Sequence, residues 1–320
     1  MPLAAASGWW TARHSQRKQQ VRTRAALNSA YGQGLNHLLN EESDKATEIL
    51  IQMLEVDPDT IELHMALGSL FRRRGEVDRA IRVHQNIVAR SRLSDALREQ
   101  ATLELGRDFL RAGLLDRAEK LFVKLLDDGK HERETCQHLV DLYQQQKEWR
   151  RAIEFGRRLA EFDADAWRPR IAQYHCELAE MAGEAGETDA ASAEAAEALA
   201  QDRNCVRATL ITAQACQSRG DYQGALAIYA EVEQQNPALL NEAMEAMRHC
   251  YAQLGEPDHW RGYVERLVSR HPRLVLSDSK DSQARYCCEK CGFSSKRLFW
   301  QCPGCRCWNS VKPIQADKVE

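Results

Sequence analysis

A small residue returns along this chain at a nearly fixed interval: Ala46, Ala80, Ala118, Ala152, Ala191 and Ala225 stand 34, 38, 34, 39 and 34 residues apart. A longer pattern travels with it. Leu67-Gly68-x-x-Phe71, followed by Gly75-Glu76-Val77-Asp78-Arg79-Ala80, recurs as Leu105-Gly106-x-x-Phe109 and Gly113-Leu114-Leu115-Asp116-Arg117-Ala118. Weaker copies run from Leu139-Val140-x-x-Tyr143 to Ala152, from Gly186 to Ala191, and from Gly220 to Ala225 and Pro237. The first copy spans Gly34 to Pro58, and the last has Tyr251, Gly255, Trp260 in the small-residue slot and Pro272. Few folds accept such a period. One unit cannot bury its own apolar face, so units must stack on their neighbours. Small residues let two antiparallel helices approach, the aromatic fills the gap to the next pair, and proline stops the second helix. The chain has only eight prolines in 320 residues, and its wealth of Ala, Leu, Glu, Gln and Arg favours helix.

The signature L-G-x-x-[YF]…A…P at this spacing is that of the tetratricopeptide repeat. It predicts an all-α fold of about seven helix pairs, stacked as a tetratricopeptide-repeat solenoid over residues 25–276. Gly68, Ala80, Phe109 and Tyr143 are then core residues. The first helix of each unit is expected to line the concave face, which directs Met65, Ser69, Arg72, Leu103, Arg107, Leu110 and Arg111 there. Arg72, Arg107 and Arg111 would offer fork-shaped donors to a partner's carboxylates, with Met65 and Leu103 as apolar neighbours. The plainer alternative is that these arginines are solvated or pair with nearby Glu and Asp. Residues 181–200 are so rich in alanine that only a thin core is expected there.

The tail carries the chemistry. Cys288-x-x-Cys291-Gly292 and, after ten intervening residues, Cys302-Pro303-Gly304-Cys305 form two CxxC pairs. Each pair can aim two thiolates at one ion from a tight turn, and four thiolates close a tetrahedral site with no open position. That describes one structural metal ion, zinc or iron. Using Cys287 or Cys307 instead would break the two-residue spacer. The CxxCG…CPxC pattern resembles the paired knuckles of rubredoxin-like modules, which leads to a small metal-binding domain over 277–320. Its Tyr286, Phe293, Leu298, Phe299, Trp300 and Trp308 are too many for about 25 residues to bury alone. Some of them are expected to pack on the repeats, with the module as a C-terminal cap. Cys136, Cys176, Cys205, Cys216 and Cys250 are scattered through the body, as small buried hydrophobes in a reducing compartment would be.

Net charge is −3, with +5 on residues 1–24, +3 on 277–320 and −11 on the body between them. So acidic a body is a poor nucleic-acid surface. The apolar run from Pro2 to Trp10 is far shorter than the roughly 20 residues that span a bilayer. Yet Trp9 and Trp10 are followed by Arg13, Arg17, Lys18, Arg22 and Arg24, as at the cytoplasmic end of a membrane helix. Residues 1–24 therefore read as the stump of a membrane anchor, an interfacial anchor or a disordered tail. No Gly-rich phosphate loop, HExxH or nucleophile elbow occurs, and a non-enzymatic protein is expected.

Two stretches carry a specific resemblance. Arg72-x-Arg74-Gly75-Glu76-Val77-Asp78-Arg79-Ala80-Ile81-Arg82-x-His84-Gln85, and Arg285-Tyr286-x-Cys288-x-x-Cys291-Gly292-Phe293…Trp300-x-Cys302-Pro303-x-Cys305…Trp308…Lys312-Pro313-Ile314, resemble the lipopolysaccharide assembly protein B (LapB, YciM) family of Gram-negative bacteria. The resemblance covers nearly the whole chain. It implies a repeat array facing the cytoplasm from an inner-membrane anchor. It also implies an adaptor that promotes degradation of the LpxC deacetylase by the membrane protease FtsH, and so controls lipopolysaccharide synthesis. Cys288, Cys291, Cys302 and Cys305 carry over as the metal ligands. The chain departs from the family in lacking a complete membrane helix and, just before the tail, about two repeats. A generic peptide-binding cochaperone and an iron redox or sensor protein are the alternatives, and a homo-oligomer is compatible with each.

Overall fold

The computed structural model describes residues 60–271 and 285–314, together with Ile49 and Ile51. The anchor segment 1–24, nearly all of the repeat copy at 34–58 and Pro272 lie outside the described residues. Among the described residues the chain forms twelve α-helices. They are α1 (Ile61–Arg73), α2 (Val77–Val88), α3 (Asp95–Arg111), α4 (Leu115–Asp127), α5 (Glu132–Gln146) and α6 (Trp149–Ala160). Then come α7 (Ala164–Glu184), α8 (Thr188–Gln201), α9 (Val206–Ser218), α10 (Tyr222–Gln235), α11 (Asn241–Gln253) and α12 (Pro257–Arg270). A short 3₁₀ turn (Pro237–Leu239) joins α10 to α11. The tail adds β1 (Tyr286–Cys288), β2 (Ser294–Ser295) and β3 (Val311–Pro313).

The helices form tetratricopeptide pairs, and one local device closes each of them. In the first pair the Glu76 N–H donates to the Phe71 carbonyl across Gly75, whose φ is +80°. This is the Schellman closure, in which a left-handed residue turns the chain back after a helix. The same bond recurs as Leu114 to Phe109, Glu148 to Tyr143, Glu187 to Ala182, Asp221 to Cys216 and Glu256 to Tyr251. Lys147 fills the left-handed slot of the third pair at φ +58°, which explains why that copy looked weak without its glycine. The 38- and 39-residue steps have an equally local origin. First helices α3 and α7 run to 17 and 21 residues, against 13 in α1.

Packing follows the repeat. Ala80, Ala118, Ala152 and Ala225 have no exposed surface, and Ala191 is also buried. The glycine of each L-G-x-x-F motif makes room for a ring from the second helix. A Cβ on Gly106 would lie 2.5 Å from Phe122 Cε1, and one on Gly68 would lie 2.5 Å from His84 Nε2. The motif aromatic is covered by the arginine that precedes the small residue: Arg79 over Phe71 at 3.9 Å and Arg151 over Tyr143 at 4.4 Å. In the alanine-rich pair Ala195 and Ala198 are fully buried, and the thin core contains Ala172, Cys176, Cys205 and Ala208.

The chain divides into two units, residues 1–138 and 139–320. In the first, Leu63, Leu67, Leu70, Phe71 and Ala80 form one cluster, and Met65, Ile87, Leu93 and Ala101 another. In the second, Ala213, Tyr229, Ala243, Met247 and Cys250 form another. The tail belongs to the second unit. There it makes a three-stranded antiparallel sheet in the order β2-β1-β3, with Tyr286 opposite both Ser295 and Pro313.

Candidate metal centre and the face it covers

Two knuckles bring the four cysteines together. In the first, the Gly292 N–H donates to the Cys288 carbonyl at 2.9 Å, and Gly292 takes φ +74°. In the second, the Arg306 N–H donates to the Cys302 carbonyl at 2.8 Å, and Arg306 takes φ +58°. The knuckles face each other, with 3.6 Å between the Cys288 and Cys305 sulfurs and 3.6 Å between those of Cys291 and Cys302. All four Sγ atoms lie within 4.8 Å of one another. A tetrahedron with metal–sulfur bonds of about 2.3 Å has edges of about 3.8 Å, so the donor set fits one zinc or iron ion. Gly304 helps to hold this spacing open, since a Cβ there would stand 3.3 Å from Cys291 Sγ.

Cys287 and Cys307 point elsewhere, each thiol directed at a backbone carbonyl, of Cys288 and Cys305 respectively. Sequence reasoning missed Ser310. This buried hydroxyl lies 3.3 Å from Cys288 Sγ and 3.0 Å from the Cys307 carbonyl oxygen, so it stands between the two knuckles. The Ser310 hydroxyl and the N–H groups of Lys290 and Cys291 hold the Cys288 thiol down at about 6. Such a thiol is a thiolate at neutral pH, the form that binds metal.

The module packs on the repeats, but its seat corrects the expectation of an end cap. It lies across the first helices of successive pairs in the second unit. Trp308 donates from its indole nitrogen to Gln144 of α5 at 2.7 Å. Its ring meets Trp149 and Tyr174 edge-on at 6.1 and 5.8 Å, and Arg207 of α9 stands 6.0 Å from its centroid. Leu298 and Trp300 pack against Val206, Val232, Leu239, Leu240 and Leu267. The Tyr286 hydroxyl donates to Glu242 of α11. Arg207 is itself buried and held by Glu177 at 2.8 Å and by Glu180 at 2.7 and 2.9 Å, so its charge stays paired beneath the indole. The physical reason for the seat is area: Leu298, Trp300 and Trp308 need more surface than a single helix end offers, while Phe293 and Phe299 pack on each other inside the module.

The residues expected to line a partner groove have separate fates. Met65 and Leu103 are buried, because Met65 closes a cluster with Ile87, Leu93 and Ala101 and Leu103 is only 2% exposed. Arg72 pairs with Glu104 at 2.5 Å and Asp108 at 2.6 Å. Asp108 in turn meets His84 Nδ1 at 2.5 Å, with both side chains fully buried. Arg107 bonds Glu104 and Glu134 and donates to His138 Nε2 at 2.9 Å. Arg111 is exposed. The arginines thus form an alternating ladder with acids from the first helices of the first unit. The acids were visible in the sequence, but which of them would face an arginine depends on how neighbouring helices meet.

The module and the repeats have matches among known proteins. A family model described as a rubredoxin metal binding domain matches residues 286–313. Tetratricopeptide repeat models match residues 63–96 and 176–239. Lipopolysaccharide assembly protein B of Escherichia coli strain K12 is 31% identical over 376 aligned positions, which cover 98% of this chain and 97% of that protein. The protein of the same name from Haemophilus influenzae strain Rd is 28% identical over 383 positions, covering 98% and 96%. Both alignments are longer than this 320-residue chain, so stretches of each relative stand opposite gaps in it. Among solved structures, the TPR protein YrrB aligns with a TM-score of 0.39 at 16% identity, over 60% of this chain and 94% of that one.

Proposed function

Because the chain belongs to the lipopolysaccharide assembly protein B family, we propose that it is a non-enzymatic adaptor that regulates lipopolysaccharide biosynthesis. In this reading it works at the cytoplasmic face of the inner membrane and promotes degradation of the LpxC deacetylase by the FtsH protease. Residues 1–24 form the membrane-proximal segment, 25–276 the repeat array and 277–320 the metal module. Among the described residues no helix is long and apolar enough to cross a membrane; Trp9 and Trp10 followed by the basic cluster support anchoring through the N-terminal segment.

One observation carries the reading: the four cysteines close on one another, and Leu298, Trp300 and Trp308 dock the module on the repeats. A closed Cys₄ site leaves no position for substrate and is a structural element. Helix pairs without a catalytic cleft recognise other proteins, and the first-helix face of the first unit is where the ladder of Arg72, Glu104, Arg107 and Glu134, with exposed Arg111 beyond it, offers paired charges. The metal, zinc or iron, holds the module's shape through Cys288, Cys291, Cys302 and Cys305.

The test reconstitutes FtsH in proteoliposomes with purified LpxC and ATP. Adding the intact protein should shorten the lifetime of LpxC, and Arg111→Glu should weaken the effect without changing the helical circular-dichroism signal. An LpxC lifetime that ignores the protein would overturn the adaptor reading. Normal stimulation by Arg111→Glu would remove only that residue from the contact surface.

A further inference from the structure

Two cysteines outside the metal module face each other in the thin alanine-rich core. Cys176 sits in the middle of α7, and Cys205 is the residue immediately before α9. Their sulfurs are 3.8 Å apart, and both side chains are buried. The surroundings of Cys205 are unlike those of an inert core thiol. Gln173 Nε2 donates to its sulfur at 3.4 Å, and the Ala208 N–H also points at it from the first turn of α9. Arg207 follows two residues later. The N–H groups at a helix N-terminus favour thiolate over thiol.

The thiols are polarised in opposite directions. Their mutual hydrogen bond, helped by the Ala208 N–H, lowers Cys205, while the same bond and burial push Cys176 well up. One member is therefore the better nucleophile, and the other keeps its proton until it is needed. Access is provided as well. Cys205 lines a cavity of about 120 Å³ at the seam between repeats and module, with Gln173, Asn204, Asn236, Trp300 and Asn309 also on its walls. That volume admits small polar molecules and excludes a protein oxidant.

We propose that Cys176 and Cys205 are an oxidisable dithiol, closed to a disulfide by hydrogen peroxide that enters the seam. The Cys205 thiolate attacks one peroxide oxygen. The S–O bond forms, the O–O bond breaks, and the departing hydroxide takes a proton to become water. Cys176 then attacks the sulfenic sulfur. The S–S bond forms, the S–O bond breaks, and the second oxygen leaves as water with the Cys176 proton. Two thiols lose two electrons to one peroxide, and two waters result. The disulfide would form at the start of α9, whose Val206 packs with Leu298 and Trp300 and whose Arg207 stands at Trp308, so oxidation would be felt where the module docks.

The test treats the intact, metal-loaded chain with hydrogen peroxide. Free thiols are then trapped by isotope-coded alkylation under denaturing conditions, and peptides are mapped without reduction. A Cys176–Cys205 cross-linked peptide should appear, with Cys205 oxidising at least about tenfold faster than Cys250, whose thiol burial pushes up. In Cys176→Ser, Cys205 should stop at a sulfenic acid that dimedone captures. Oxidation of Cys205 no faster than Cys250 would overturn the proposal. So would its passage to sulfinic acid without a link to Cys176, or reaction confined to the four metal-site cysteines. The wild-type map requires no variant to fold.

Discussion

Trp308→Ala should undock the metal module while leaving it metal-loaded. The substitution removes the 2.7 Å bond to Gln144, the edge contacts with Trp149 and Tyr174, and the approach of Arg207. A neutral hydrogen bond contributes about 1 kcal/mol. Aromatic pairs add about 0.5–1.5 kcal/mol each, and an arginine over an indole about 0.5–1 kcal/mol. Trp308 keeps part of its surface in water, so the lower ends of those ranges apply. The loss comes to about 2.5 kcal/mol, just below the usual range of Trp→Ala costs and equal to roughly seventyfold in the docking equilibrium. Trp308→Phe keeps a ring and loses the N–H, so it should cost about 1 kcal/mol. Hydrogen exchange would read the effect as faster exchange in peptides of α7 and α9, and urea unfolding as a lower midpoint, with metal content unchanged. Unchanged exchange in Trp308→Ala would refute the docking assignment, and identical losses in the Ala and Phe variants would refute the role of the indole N–H.

The remaining predictions concern packing, protons and metal. Gly106→Ala should cost about 1–2 kcal/mol in urea unfolding, since overpacking against Phe122 outweighs the helix propensity that alanine brings. Gly106→Ala/Phe122→Leu should recover most of that loss, and a single variant as stable as wild type would refute the close approach. Burial, and then the Arg107 guanidinium, hold His138 down at about 4. The unfolded chain, with an ordinary imidazole near about 6.5, binds the proton first, so stability should fall as pH drops from about 6.5 towards 4 and be flat above that window. His138→Gln should flatten the slope, and an unchanged slope would assign it to other groups. Cys302→Ser, at a fully buried ligand position, should abolish the single equivalent of bound metal and lower the melting temperature; retained metal by elemental analysis would mean another donor set.

Legibility in the sequence depended on how far each interaction reaches along the chain. The helix pairs were readable because each closes within about one repeat, through a left-handed turn residue and a small residue facing an aromatic. Lys147 shows the limit, since its left-handed turn is made without the glycine that a pattern search looks for. The four ligands were readable from spacing alone, because a CxxC turn fixes two sulfurs locally. Ser310 was not, although it stands between the two knuckles, because a lone serine carries no spacing. Gln144 and Trp308 are 164 residues apart, and nothing in either neighbourhood announces the other. Met65 and Leu103 are buried, and for Met65 the consensus register fixed the helix face but not that Ile87, Leu93 and Ala101 would close over it.

The seat of the module changes what the metal does for the repeats. A cap on the last helix would only protect one end. A module seated on the first helices of the second unit occupies the face on which repeats of this type recognise partners, and it brings its own contacts at Gln144, Tyr174, Arg207 and Glu242. Trp308 and Ser310 stand within a few residues of Cys305, so the geometry that closes on the ion also presents the indole to the repeats. Metal binding therefore shapes the surface that docks, and a partner can depend on the metal without touching it. This separates two kinds of variant that a simple loss of activity would confuse. Trp308→Ala should undock a loaded module, whereas Cys302→Ser should unfold the module and undock it together. If both impair partner binding equally, the docked arrangement is what the partner reads. If only Cys302→Ser does, the partner reads the module itself.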